Sequence, residues 1–224
     1  MSTASLNRTR SVTSSQWSSS CINRERSLDV LALTETWHTA SDDNCLRLAT
    51  LSDYAVVDVA RPSRRAGGIA VIFRKHWKCA TLPTPTCSTF EVLAVRLTTD
   101  SGPFVVVTVY RPGFDHLRTQ FFDEMSTLLE MAVVYACPVL VGGDFNIKTQ
   151  SSNDPGARRL ADLLTSFDMV QHVRGPTQRR GNTLDVVVTP ANAHWTVPTL
   201  NHSACCRITH SLSADFRSSS TRRP

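Results

Sequence analysis

The sequence predicts an α/β domain in which two β-sheets pack on each other and helices cover the outside. A length of 224 residues fits one large domain. With 41% hydrophobic and 19% charged residues, the chain can bury a core of ordinary size. Short β-branched segments recur along the sequence, and few helical patterns separate them. A simple alternating βαβ fold would carry more helices.

Seven segments predict strands, because each is short, rich in β-branched residues and bounded by turn residues. They are Leu28–Leu33, Tyr54–Val59, Gly68–Phe73, Phe90–Leu97, Phe104–Tyr110, Pro138–Gly142 and Thr183–Val188. Two segments predict helices. Apolar residues recur with a helical period through Asp115–Val134, which gives one buried face. The second helix opens at Asp154-Pro155, since Asp caps free amides and Pro fits the first helical position.

The chain carries a net charge of +5, from 24 Lys and Arg against 19 Asp and Glu. This excess slightly favours a polyanionic partner, because cationic side chains displace counterions from phosphates, although many proteins without such a partner share it. The seven cysteines are scattered and form no C-x-x-C pattern, which indicates reduced thiols in an intracellular protein. No run approaches about 18 to 20 apolar residues, so no membrane helix is expected.

The most informative segment is Val141-Gly142-Gly143-Asp144-Phe145-Asn146, in which an apolar strand ends in two glycines. If the chain stays extended, Asp144 and Asn146 project on the same side of the strand's end. The carboxylate can take a proton from water, and the amide can donate to a phosphoryl oxygen. The alternative is a plain turn, since Gly, Asp and Asn dominate turns.

Other polar residues stand at the ends of apolar strands or inside them. Glu35 is a candidate ligand for a hard divalent cation, or a solvated acid after a strand. Tyr110 and Arg111 are candidates to bind phosphate oxygens, with Arg111 as the substrate-binding residue; otherwise they are an edge aromatic and a surface charge. Asp185 interrupts an apolar strand, and a buried carboxylate needs a partner or a metal. The alternative is a local hydrogen bond to Asn182 or Thr183.

In this order and spacing, the segments resemble the endonuclease/exonuclease/phosphatase superfamily, and most closely the endonuclease domain of non-LTR retrotransposons, which is related to abasic-site endonucleases. The segments that carry the resemblance are Leu33-Thr34-Glu35-Thr36-Trp37, Gly67-Gly68-Ile69-Ala70-Val71, Val109-Tyr110-Arg111-Pro112, Gly142-Gly143-Asp144-Phe145-Asn146 and Gly181-Asn182-Thr183-Leu184-Asp185. The resemblance implies a four-layer fold of two packed β-sheets flanked by helices, incomplete at both termini. The domain would occupy residues 28–216, between a poorly ordered or degenerate segment 1–27 and a disordered tail 217–224.

The resemblance also implies a role for each matching residue. Glu35 would be a ligand of magnesium or manganese. Tyr110 matches a tyrosine near the scissile phosphate, and Asp144 matches the aspartate that activates or orients the attacking water. Asn146 would contact the phosphoryl oxygens, and Asp185 would orient a catalytic histidine.

The two ends of the sequence depart from the family pattern. For the strand asparagine that helps to bind metal, the counterpart is Asn7. In place of the closing Ser-Asp-His element stand Thr209 and His210, 25 residues beyond Asp185, so His210 would be the catalytic histidine. The alternative is His202, 17 residues on, preceded by an asparagine. Either arrangement lacks a carboxylate, a loss that commonly lowers metal affinity or activity ~10–100-fold.

These residues predict a divalent-metal-dependent phosphodiester hydrolase, and more specifically a DNA-nicking endonuclease of a non-LTR retrotransposon. The first alternative is a catalytically degenerate remnant that keeps the fold and at most binds nucleic acid. The second keeps the fold but hydrolyses a small phosphoester such as a phosphoinositide or sphingomyelin. The expected partners are DNA and a reverse transcriptase encoded by the same element, of which this chain would be at most the endonuclease portion. A monomer with a nuclear location is expected.

Overall fold

A computed structural model describes residues 29–39, 41, 44–60, 67–178, 180–193 and 205–208. The strands are β1 Val30–Thr34, β2 Tyr54–Val59, β3 Ile69–Arg74, β4 Lys78–Leu82, β5 Glu91–Thr99, β6 Gly102–Tyr110, β7 Val139–Asp144, β8 Met169–Gln171, β9 Asp185–Pro190 and β10 Cys205–Ile208. The helices are α1 Asn44–Ala49, α2 Thr119–Val133 and α3 Pro155–Ser166. Each of the seven predicted strands overlaps one of these strands.

The strands form two sheets. The first has four strands in the order β10-β1-β3-β2, and every pair in it is antiparallel. The second has six strands in the order β4-β5-β6-β7-β9-β8. In this sheet β6 and β7 are parallel and the other pairs are antiparallel. The helix α2 makes the crossover that a parallel pair requires.

Alternating apolar residues assemble these elements into four layers. On β6, Val105, Val107 and Val109 face α2 and α3, whereas Val106 faces the first sheet. The core between the sheets joins residues such as Val71 of β3 to residues of β5, β6, β7 and β9. On the outer face of the first sheet, a smaller cluster buries Leu46 of α1. The predicted fold of two packed sheets flanked by helices is therefore confirmed.

The first predicted helix begins later than expected. The sequence places its start at Asp115, but α2 begins at Thr119. Residues 112–118 form a loop instead, in which the Asp115 carbonyl accepts a hydrogen bond of 2.9 Å from Arg111 Nη1. This tertiary contact takes a backbone acceptor that helix formation would otherwise use.

The second predicted helix begins where the sequence indicates. Asp154 has an extended backbone, and its Oδ1 accepts from the backbone N–H groups of Gly156 and Ala157 at 2.8 and 3.0 Å. Pro155 occupies the first helical position, where a missing N–H is harmless. Leu160 and Leu164 then bury the inner face of α3.

Four short elements were not predicted: α1, β4, β8 and β10. β4 lies at the edge of the second sheet and is mostly exposed, so it lacks the apolar signal of a buried strand. β8 has three residues and α1 has six, which is too few for a clear period. Within the described residues, no helix is long and apolar enough to cross a membrane.

Candidate active site

A row of polar side chains crosses one end of the six-stranded sheet. Glu91 of β5 lies in register with Tyr110 of β6, which lies in register with Asp144 of β7. Asp144 is in turn paired with Asp185 of β9. Residues in register on neighbouring strands share a face of the sheet, and Tyr110 packs in the core between the sheets. The row therefore faces the four-stranded sheet.

Glu35 brings a carboxylate from the other sheet to this row. It follows β1 directly, and its Oε1 accepts a hydrogen bond from the phenol of Tyr110. Burial raises the pKa of Tyr110, and the hydrogen bond and charge of Glu35, then the charges of Asp144 and Glu91, raise it further. The phenol therefore stays protonated at neutral pH and joins the two sheets at the site.

The carboxyl group of Asp144 titrates near neutral pH. Burial raises its pKa from the ordinary value of 3.8, the charge of Asp185 raises it next, and with Glu35 they bring it to about 7. The backbone N–H of Asn146 donates to Asp144 Oδ1 at 2.9 Å and, with the charge of Arg111, opposes the rise. A carboxyl group with a pKa near 7 suits a general base at neutral pH.

The chain turns at Asn146, which agrees with the turn that the sequence left open and not with an extended segment. Asn146 has a φ of +49°, in the left-handed region that asparagine tolerates better than most residues. Its side-chain Nδ2 donates to the carbonyl of Arg111 at 2.8 Å. A Cβ on Gly113 would lie 2.9 Å from Asn146 Oδ1, so a larger residue there would push the amide from its place. These contacts hold the amide next to Asp144 through a turn rather than along a strand.

The guanidinium of Arg111 is buried next to the turn after β7, where it donates hydrogen bonds to backbone carbonyls. Nε donates to the carbonyl of Phe145 at 2.7 Å, and Nη2 donates to that of Asn146 at 2.7 Å. Nη1 donates to the carbonyls of Asp115 and Pro112 at 2.9 and 3.3 Å. Only 5% of the residue is exposed. In this arrangement Arg111 holds the turn after β7 in place, in contrast to the substrate-binding role expected from the sequence.

Replacing Arg111 with lysine is expected to lower the free energy of unfolding by about 2 to 4 kcal/mol, because an ammonium cannot reach the same carbonyls and leaves buried acceptors unpaired. Chemical denaturation followed by circular dichroism measures this. The matched control is Arg118→Lys at an exposed position, which we expect to change stability by less than about 0.5 kcal/mol. Unchanged stability of Arg111→Lys combined with weaker DNA binding would restore the substrate-binding role.

A buried hydrogen-bond chain supports the turn that carries Glu35. Thr36 and His38 are 1% and 4% exposed, and Thr36 Oγ1 lies 2.6 Å from His38 Nδ1. On the other side of the ring, His38 Nε2 lies 2.6 Å from Asp58 Oδ2 of β2. Gly68 packs against both, since a Cβ there would lie 2.5 Å from Thr36 Oγ1. Its N–H donates to Glu91 Oε2 at 2.7 Å, which links the turn to the polar row.

Sequence reasoning did not single out these supporting residues. His38 follows directly on the Glu35 motif, which was a signal for it, but Asp58 and Glu91 are distant in sequence. Thr177 was also missed. It is 7% exposed, and its Oγ1 accepts from the backbone N–H groups of Leu184 and Asp185 at 2.9 and 3.1 Å, which fixes the start of β9.

The structure brings six of the eight predicted site residues together. They are Glu35, Tyr110, Arg111, Asp144, Asn146 and Asp185. The other two, Asn7 and His210, lie outside the described residues, as do Thr209 and the alternative His202. Their places at the site stay predictions, as do metal binding by Glu35 and the catalytic roles of Tyr110, Asp144, Asn146 and Asp185.

A hard divalent cation is compatible with the residues that are present. The described part of the chain contains no cluster of three or more His, Cys, Asp or Glu side chains that could hold a metal. Magnesium usually binds through one or two carboxylates and keeps several waters, so it needs no such cluster. Glu35 is exposed and offers hard oxygen donors. Burial raises the pKa of Asp144 most, and the nearby carboxylates of Asp185 and Glu35 raise it further, so three acidic side chains lie near one another.

Several solved structures share this fold, and three of them carry names that describe an endonuclease or a DNA product. The endonuclease domain of TRAS1, a telomere-specific non-LTR retrotransposon, has a TM-score of 0.62 and 15% identity, over 84% of this chain and 83% of that one. The AP endonuclease LMAP from Leishmania major has a TM-score of 0.58 and 14% identity, over 78% and 73%. D. rerio TDP2, complexed with a single-strand DNA product, has a TM-score of 0.59 and 12% identity, over 84% and 81%.

Sequence comparison gives the family. No curated protein matches the chain significantly. A model of the endonuclease/exonuclease/phosphatase family, whose members are typically metal-dependent hydrolases, matches residues 8–208. Because this match spans most of the sequence, the chain belongs to the endonuclease/exonuclease/phosphatase family.

Proposed function

We propose that the protein is a magnesium-dependent endonuclease that nicks DNA by attack of water on a phosphodiester. The observation that carries this proposal is the meeting of Glu35 from one sheet with Tyr110, Asp144 and Asp185 from the other. Two of these carboxylates contribute to the raised pKa of the third, Asp144. Such a group can take a proton from water while a cation is held beside it.

In this proposal each side chain has one task. Asp144 accepts the proton of the attacking water, and Tyr110 positions Glu35 through its hydrogen bond. Asn146, held next to Asp144, has a second amide N–H that can donate to a phosphoryl oxygen. Asp185 orients His210. Glu35 holds the magnesium ion, which would neutralise charge developing on the phosphoryl group and the leaving oxygen.

DNA is the substrate that the observations favour. The chain carries a net charge of +5, which suits a polyanion. Three solved structures of the same fold carry names that describe endonucleases or a DNA product. The motif resemblance favours the retrotransposon class over phosphatases of small phosphoesters. We also propose that the protein acts as a monomer in the nucleus, beside a reverse transcriptase of the same element.

A plasmid-nicking assay tests this proposal. Supercoiled plasmid is incubated with the protein across a series of magnesium concentrations, with manganese in parallel and EDTA as the blank. Glu35→Gln keeps an oxygen that can accept from Tyr110 but removes the charge. We expect this variant to need about 10- to 100-fold more magnesium for half-maximal nicking. Glu130→Gln on the exposed face of α2 is the control, with an unchanged magnesium requirement.

Three outcomes would contradict the proposal. Nicking that persists in EDTA, or that is equal in Glu35→Gln and Glu130→Gln at every magnesium concentration, would remove the metal-dependent mechanism. Salt-sensitive DNA binding without any nicking by the wild-type protein would identify a degenerate remnant instead. In that case Thr209→Asp asks whether the missing carboxylate is the cause, because recovered nicking would locate the defect there.

A further inference from the structure

Two exposed aromatic side chains stand beside the candidate active site. Trp37 is 58% exposed and Phe114 is 64% exposed. Among the described residues, no other Phe, Trp or Tyr side chain is exposed. Trp37 comes two residues after Glu35 and Phe114 four residues after Tyr110, and Glu35 and Tyr110 are hydrogen-bonded to each other. The Cα atom of Trp37 therefore lies within about 7 Å of that of Glu35, and the Cα atom of Phe114 within about 14 Å of that of Tyr110.

Trp37 is held outward by a constrained turn. Glu35 and Trp37 both have left-handed backbone conformations, with φ of +53° and +55°, which is uncommon for bulky residues and unfavourable. The residue between them, Thr36, is buried and donates its N–H to the Gly68 carbonyl at 3.2 Å. The N–H of Trp37 donates to the Gly67 carbonyl at 2.9 Å. The backbone of Trp37 is therefore fixed two residues after Glu35, and most of the side chain is exposed.

Phe114 lies on a loop whose path is fixed by hydrogen bonds from Arg111. Arg111 donates to the carbonyls on both sides of Phe114, those of Pro112 and Asp115, so the loop's path is set by buried hydrogen bonds. Asp115, His116 and Arg118 follow, are exposed, and line a cavity of about 240 Å³ that Arg111 and the start of α2 also line. Exposed aromatic side chains with a cation nearby, here Arg118, can bind single-stranded nucleic acids by base stacking and phosphate contacts.

We propose that Trp37 and Phe114 stack on unpaired bases next to the scissile phosphate, so that the preferred substrate is DNA that is single-stranded or unpaired at the cut. This inference rests on the proposed function and names its substrate class. In a paired duplex the faces of the bases are covered by their neighbours, so an indole beside the metal ligand would gain little. An unpaired base costs least to unstack and offers its face to an aromatic ring.

Binding measured without cleavage tests the proposal. In EDTA, fluorescence anisotropy gives the Kd of three labelled DNAs of one sequence: a single strand, a duplex with a central unpaired stretch, and a fully paired duplex. The variants are Trp37→Ala, Phe114→Ala and Trp37→Phe, which keeps an aromatic ring. The control is Val134→Ala, which truncates an apolar side chain 75% exposed just after α2. Circular dichroism confirms that each variant is folded.

The expected result is selective. Each alanine variant should bind the single strand and the unpaired duplex about 5- to 100-fold more weakly than wild type, and Trp37→Phe should recover most of the loss. Affinity for the paired duplex should change by no more than about threefold, which corresponds to less than one stacked base. Under magnesium, nicking of the unpaired duplex should fall in parallel with binding.

Several outcomes would overturn the inference, and they separate its failure from failure of the proposed function. If wild type nicks plasmid DNA but the alanine variants bind single strands as well as Val134→Ala does, the stacking role is wrong and the nuclease stands. Equal losses on paired and unpaired DNA would remove the preference for unpaired bases. If wild type binds none of the three DNAs, the inference falls together with the proposed substrate.

Discussion

Replacing Asp144 with asparagine is expected to lower the rate of magnesium-dependent nicking by about 10²- to 10⁴-fold, the contribution typical of a general base. Asparagine has nearly the same shape, and its Oδ1 can still accept the hydrogen bond that Asn146 N–H makes to Asp144. It cannot take a proton from water. The loss should therefore appear in kcat, measured as the initial rate of plasmid nicking at saturating magnesium.

The same substitution should make the metal-free protein more stable at alkaline pH. Because burial and Asp185 raise the pKa of Asp144 from 3.8 to about 7, the folded state keeps a proton that the unfolded state releases. Wild-type stability should therefore fall as pH rises from about 4 to about 7 and then level off, by roughly 4 kcal/mol in total from this group. The Asp144→Asn variant has no such proton. Urea denaturation in EDTA should therefore show that the stability of the variant relative to wild type is greater at pH 8 than at pH 5.

An exposed carboxylate is the control for both measurements. Asp100→Asn lies in the turn between β5 and β6, and we expect it to change neither nicking nor the pH dependence of stability. If Asp144→Asn nicked DNA at the wild-type rate, Asp144 would not be the base. If its stability tracked that of wild type at both pH values, the carboxyl group would not be held protonated by its surroundings.

Replacing Gly143 with alanine is expected to destabilise the fold by more than about 4 kcal/mol, beyond the range of ordinary substitutions. Gly143 pairs with Val109 on β6 and has a φ of +144°. A Cβ at this position would lie 1.9 Å from the carbonyl oxygen of Val109. Both groups belong to neighbouring buried strands, so neither can move aside without separating β6 from β7. Chemical denaturation, or the soluble yield if the variant fails to fold, measures the effect.

Gly102→Ala provides a matched control for the backbone effect. Gly102 also has a positive φ, of +118°, but an added Cβ would meet no atom within 4 Å. Its cost should be about 1 to 2 kcal/mol, from conformation alone. The difference between the two variants therefore isolates the collision with Val109. Equal losses of stability would mean that strain in the backbone, rather than the close approach of β6 and β7, explains the glycine.

The strands could be predicted because burial on both faces leaves a continuous apolar signal. β6 and β7 lie in the middle of the larger sheet, and their valines alternate between two cores. β4 gave no such signal, since an edge strand with three exposed residues needs few apolar positions. The start of α2 was predicted too early because Leu117 fits the helical spacing of apolar residues, although it lies before the helix begins at Thr119. The backbone carbonyl of Asp115 accepts a hydrogen bond from Arg111 instead.

The site was predictable only where a residue stands at the end of a strand. Glu35, Tyr110, Asp144 and Asp185 share that position, and the fold brings them together. The task of Arg111 could not be predicted, because a guanidinium that binds carbonyls looks the same in sequence as one that binds phosphate. Asp58 was equally hidden: its contact with His38 depends on how β2 and β3 pair, which no local pattern records.

The hydrogen bond between Tyr110 and Glu35 crosses from one sheet to the other, and this has a consequence for anything that disturbs the interior. The side chains of the candidate site stay aligned only while the two sheets keep their packing against each other. A change deep between them, far from any substrate, would tilt one sheet and pull the phenol from its carboxylate. If the protein is the proposed nuclease, its rate of nicking should therefore fall when packing between the two sheets is disturbed.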